Sequence, residues 1–156
     1  MNVETFYALV AGACFALLGL WWNAVSAHLD WLKDEHTRAL AGGIYLAFLV
    51  PAAMSLGAQI GGDNKLVWRA VFILAELLGG FFTTRYILKT RNQSARLFHK
   101  SRWLIIVVYA LILVVAVFPE LGKMLDLTGL QVEAFLICLL VLMGHGLAWE
   151  FITDHR

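Results

Sequence analysis

The chain has 156 residues, 61% hydrophobic and 15% charged, with 12 Lys and Arg against 11 Asp and Glu and a formal net charge of +1. Soluble domains run at roughly 45–50% apolar and 25% charged, so this composition excludes a water-soluble globular domain and calls for lipid as solvent. Two cysteines without a CxxC motif exclude a disulfide framework or a dithiol redox centre.

Crossing a bilayer takes about 20 apolar residues, and five tracts of that length follow one another. Residues 5–28 form the first predicted span. The preceding MNVE carries an acid where a cleaved signal peptide has a positive region, so the span is expected to remain in the mature protein. Along it Thr5, Ala8, Gly12, Ala16, Gly19, Asn23 and Ser26 recur at steps of three and four. Such a stripe lets helices pack closely, or leaves room for a water-lined path with Asn23 and Ser26 at its end. The second span, residues 39–61, repeats the pattern in Gly43, Ala47, Pro51, Ser55, Ala58 and Gly62. Pro51 has no N–H, so it is expected to kink the helix or free a carbonyl.

The third span, residues 66–88, carries Arg69, Glu76 and Arg85. It runs into RYILKTRNQSARLFHKSR, residues 85–102, which holds six of the twelve Lys and Arg and no acid. The fourth span, residues 103–125, is the most lipid-like, and the fifth, residues 130–152, contains Glu133, His145 and Glu150. The connections are too short for a second domain, so residues 1–156 read as one all-α, polytopic bundle of five transmembrane helices.

Positive loops stay cytoplasmic. With residues 85–102 inside, Lys33, Arg38 and Arg156 also fall inside and the outer loops hold only Lys65 and Lys123. The expectation is therefore N-terminus outside, C-terminus cytoplasmic, in a cell (inner) membrane. The basic run is then an orientation signal that also touches anionic lipid, and nucleic acid is not required. Trp21, Trp22, Trp31, Trp68, Trp103 and Trp149 lie near predicted span ends, as interfacial aromatic belts do. In outline the chain resembles the tryptophan-rich sensory (translocator) proteins. That family's Pro-rich, Trp-rich motifs are missing from a chain whose only prolines are Pro51 and Pro119, so nothing of its function is carried over.

Ionisable residues within spans are costly and mark bundle interiors or ion pathways. At about 1.5 Å per residue, Arg69 and Glu133 share one depth and Arg85 and Glu150 another, so parallel docking of spans three and five would pair both, with Glu120 as another partner for Arg69. Glu76 lies within about 2 Å of the predicted midplane with no base at its depth; His145, between two glycines, comes nearest. No convergent catalytic set appears, because Ser26, His28 and Asp30 are splayed around a helix, and no cofactor is implied. The expectation is a non-enzymatic, homo-oligomeric channel or carrier for an ion or proton, its path near Glu76, His145, Asn23 and Ser26. An accessory or assembly subunit of a larger membrane complex is the alternative.

Overall fold

A computed structural model of the chain describes residues 2–62, 64–89 and 98–154, with the side chains of 86–103 and 124–125 outside the description. Most of the basic run, and Trp103 with it, therefore lies outside the described side chains. The described residues form five α-helices and no strand: α1 (Val3–Ala27), α2 (Glu35–Gly61), α3 (Lys65–Lys89), α4 (Phe98–Val117) and α5 (Gly129–Asp154). By length and composition α1, α2, α3 and α5 can each cross a membrane, and α4 contributes a shorter apolar stretch, Leu104–Val117.

Capping chemistry sets the helix ends. Asn2 begins α1 by accepting from the Glu4 N–H at 3.2 Å. Asp34 begins α2, accepting from the Thr37 N–H at 2.7 Å and from its hydroxyl at 2.9 Å. The helix thus starts four residues before the predicted span at residue 39. That Thr37 backbone bond, with the hydroxyl, holds the Asp34 carboxyl below its usual range. At its far end α2 closes on Gly62, whose φ of 46° suits a residue without Cβ. The fourth helix ends at Val117, short of the predicted 125, because Pro119 disfavours helical geometry at Phe118, which has φ −120° and ψ 67°. A 3₁₀ segment, Pro119–Leu125, follows. A reciprocal capping box then starts α5: the Thr128 N–H donates to Gln131 Oε1 at 2.8 Å and the Gln131 N–H to Thr128 Oγ1 at 3.3 Å.

In the bundle α2, α3, α4 and α5 form a closed ring of neighbours, α2 on α3, α3 on α4, α4 on α5 and α5 on α2, while α1 lies along α2 and α5. Spans three and five were expected to dock on one another. Instead, among the described residues, the backbones of α3 and α5 do not approach one another closely, with α2 and α4 between them. Glycines set the closest approaches. A Cβ on Gly57 would stand 2.4 Å from Val71 Cγ1 and one on Gly61 would stand 3.0 Å from the Trp68 nitrogen, so α2 and α3 pack nearly backbone to backbone. Gly144 of α5 lies against Ala47 and Phe48 of α2, beside the Ala47 carbonyl that Pro51 leaves without its helical donor.

Two apolar clusters fill the bundle. One lies inside the ring, with Val50, Met54, Phe72, Val108, Ile112 and Ile137, closed by Tyr7 from α1. The other joins α1, α2 and α5 around Trp21, Trp31, Phe48 and Phe151. Trp31 stacks on Trp21 at 6.4 Å and meets Phe151 edge-on at 4.9 Å. Trp21, Trp31 and Trp68 are thus core residues, whereas Trp22 and Trp149 face outward as a belt would. The outer surface is apolar as well, with Leu20, Ile60, Leu74, Phe135 and Leu142 exposed. A lipid solvent tolerates that surface and water does not. The chain is a multi-pass membrane protein by this character.

Candidate functional site: two carboxyls inside the bundle

Glu76 sits on α3 in helical phase with Trp68, Phe72 and Gly79, all buried, so its side chain turns inward. Glu133 sits on α5 in phase with Gly129, Ile137, Leu140 and Gly144, again the buried face. The two residues are 3% and 0% exposed, and none of their four carboxylate oxygens has a hydrogen-bond partner. Their neighbours Trp68 and Phe72 of α3 and Ile137 and Leu140 of α5 belong to one apolar cluster.

Two tyrosines extend this pair. Tyr7, 1% exposed, donates its hydroxyl to the Leu130 carbonyl at 2.8 Å, one turn of α5 before Glu133. Tyr109 is buried on α4 against Gly79, one turn of α3 beyond Glu76. On α2, Ser55 Oγ is a further buried polar atom without a partner.

A charged side chain at the centre of a spanning helix costs about 2.5–3.5 kcal/mol on insertion scales. Glu76, near the middle of α3, holds such a position, and an ionised Glu133, buried without a partner near the start of α5, would add its own desolvation cost. The arrangement calls for something that neutralises or solvates the acids: a proton, water, or a cation.

The remaining sequence candidates are not gathered there. Arg69 does not pair with Glu133; its guanidinium donates to the Ala116 and Val117 carbonyls at 2.8 and 2.7 Å, closing the C-terminal end of α4. Glu120 bonds Lys123 at 3.5 Å in an exposed pair, not Arg69. Arg85 is exposed on α3 and Glu150 half-buried on α5, helices whose described backbones do not come close. Asn23 and Ser26 are exposed on the outward face of α1, opposite its buried line of Tyr7, Ala11, Cys14, Leu18, Trp21 and Val25. His145 is exposed on α5, since the neighbouring Gly144 takes the inward position.

The sequence pairing failed because equal depth says nothing about azimuth. Phase alone could not have supplied it, because α3 and α5 are apolar on every side around Glu76 and Glu133 and the sequence does not mark which face is buried. Among the described residues no cluster of three or more His, Cys, Asp or Glu forms a metal site. No protein-family profile matches the chain, and neither curated proteins nor solved structures give a match, so the site is read from its own chemistry.

Proposed function

We propose that the protein is a small membrane channel or carrier for an ion or proton, with Glu76 and Glu133 inside its path. The supporting observation is the burial of both carboxyls within the helical ring without any hydrogen-bond partner. Intramembrane acids of this kind serve ion pathways and proton relays far more readily than packing, which apolar side chains achieve at lower cost. Asn23, Ser26 and His145 fall away from the path in this reading.

Five crossings, with the N-terminus outside and the C-terminus in the cytoplasm of a cell's inner membrane, suit the charge pattern. Residues 85–102 then face the anionic leaflet. Cysteines introduced as Asn64→Cys and Asp126→Cys should label from outside and Gln93→Cys only from inside. The outward stripe on α1, with Gly12 and Gly19 open to their surroundings, supports self-association. It also supports the alternative of an accessory subunit docked on a larger complex, which the mass of the purified protein separates: a defined homo-oligomer favours the first. Purified protein in liposomes, assayed for passage of H⁺, Na⁺, K⁺, Mg²⁺ and Cl⁻ under an imposed potential, tests the reading. No flux of any of them over a range of pH and voltage would remove it.

A further inference from the structure

One edge of the bundle carries two surfaces of complementary shape that the chain itself leaves uncovered. On α1, Thr5, Gly12 and Gly19 face outward at intervals of seven residues, and a Cβ on either glycine would meet no atom within 4 Å. Glycine weakens a helix interior relative to alanine, so α1 keeps open a space that its own chain does not use. On α5, Phe135, Leu142 and Trp149 stand out at the same interval, 71%, 69% and 72% exposed. They form a ridge of large side chains as regular as the row of small ones.

Packing sets the row and the ridge side by side. The Tyr7 hydroxyl on the Leu130 carbonyl at 2.8 Å and the Trp21 and Phe151 rings at 5.4 Å tie α1 to α5, start to start and end to end, so the two helices are parallel. Passing round α5 from Gly144, which meets α2, Ala148 and Ile152 pack in the cluster shared with α1. The ridge comes next, about 100° beyond Ala148. Depth matches too. Side chains of parallel helices lean towards the same end; Tyr7 reaches back to Leu130 along that lean, and the ring pair, being alike in length and lean, gives the level. At the register of Trp21 on Phe151, Phe135 is level with Thr5, Leu142 with Gly12 and Trp149 with Gly19. Ala8 and Ala16 lie between, so the row accepts the ridge anywhere within about a turn of that register.

We infer that this edge is the contact between two copies of the chain, related by a two-fold axis along the membrane normal, with the α5 ridge of each copy seated in the α1 row of the other. This rests on the self-association in the reading above and names its faces; it does not depend on what crosses the membrane.

Symmetry makes the second copy the fitting occupant. The charge pattern that orients one copy across the membrane orients all of them alike, so α1 of one copy lies parallel to α5 of the other, and rotation about the normal preserves every level. Membrane helices associate by close approach over small residues, and an interval of seven on both partners is that of parallel helices crossing at about +20°. Because the row and the ridge share one edge, a single two-fold forms the contact twice, as an isologous interface requires. Row against row would bring glycine to glycine and leave both ridges bare. Lipid or an unrelated helix would cover either surface alone; a second copy accounts for their equal spacing and common level together.

Cross-linking of the full chain in membranes tests it. At the same register Ala8, exposed on α1, is level with Cys138, half-buried beside the ridge, while Cys14 is buried. Ala8→Cys, oxidised with copper phenanthroline, should give a disulfide-linked dimer band, and adding Cys138→Ser should remove it. A band that survives Cys138→Ser would mean that α1 meets α1, and no band that the two faces do not meet; either overturns the inference. Leu142→Ala with Trp149→Ala should weaken the dimer about tenfold, read as energy transfer between labelled copies at a fixed protein-to-lipid ratio, with helix content unchanged. Leu74→Ala with Leu78→Ala, exposed on α3, should leave it as it is. No loss from the α5 pair, or an equal loss from the α3 pair, would also overturn it; should the α5 pair fail to fold, the cross-link decides. A wild type that stays monomeric, or that binds a different protein through this edge, would end the inference, and the liposome flux measurement would still decide transport on its own.

Discussion

Two helices carry stripes of small residues with nearly the same spacing, and the bundle uses them in opposite ways. On α2, Ala47, Pro51, Ser55 and Ala58 turn inward and Gly57 and Gly61 sit against α3. On α1, Thr5, Ala8, Gly12, Ala16, Gly19, Asn23 and Ser26 all face outward, and a Cβ on Gly12 or Gly19 would touch nothing within 4 Å. A small-residue stripe therefore records a capacity for close approach and not the identity of what approaches. In lipid, where packing drives helix association more than apolar burial does, the central helix fills that capacity from within its own chain and the peripheral helix leaves it to the surroundings.

The sharpest way to break this comparison is to add bulk to α2. Gly57→Ala drives a methyl into the β-branched Val71, where the nearest carbon would stand at 2.4 Å, and should destabilise the protein by about 1–3 kcal/mol, read as lower thermal stability in detergent. Gly144→Ala meets Ala47 and Phe48 at 3.1 and 3.2 Å, so its cost should be about 1 kcal/mol. The same bulk on α1 should leave the fold within about 0.5 kcal/mol of wild type. Gly12→Leu with Gly19→Leu should still convert an oligomer to a smaller species, measured by light scattering. If the fold fails instead, the outward assignment of that stripe is wrong.

Two smaller effects sharpen the contrast at α2. Ser55→Ala removes a buried hydroxyl that has no partner, so stability should hold or rise slightly; a clear loss would mean that water or another group bonds it. Asp34→Ala should fray the first turn of α2, and the wild-type cap should have its own pH dependence. The Asp34 carboxyl lies lower in the folded protein than in the unfolded chain. Its contribution is therefore full above the ordinary carboxylate value and fades as pH falls through the folded one. Acid melting of wild type against Asp34→Ala, the variant showing the shallower dependence in that window, checks the sign.

The same contrast shows what could be read from the chain alone. The apolar tracts, the helical class and the place of Glu76 and Glu133 within apolar tracts were legible, because a bilayer imposes length and composition directly. The helix starts after Asp34 and Thr128 were missed, because capping residues set them before the apolar pattern that placed the spans at 39 and 130 begins. The failure of the Arg69–Glu133 pairing was not legible either. Sequence gives depth through the rise per residue, but the neighbour relations that put α2 and α4 between α3 and α5 depend on every connection at once.

Lipid-facing and protein-facing surfaces are both apolar in a membrane bundle, so the alternation that orients a helix in a soluble protein is nearly silent here. Sequence by itself determined the apolar character of this protein, its helical class and the presence of two acids among apolar residues. Tertiary structure decided which stripe was consumed, which Trp residues were core, and that Glu76 and Glu133 share one interior with Tyr7 and Tyr109. Those outcomes rest on azimuth and on close backbone approach at Gly57, Gly61 and Gly144, which only the packed helices define.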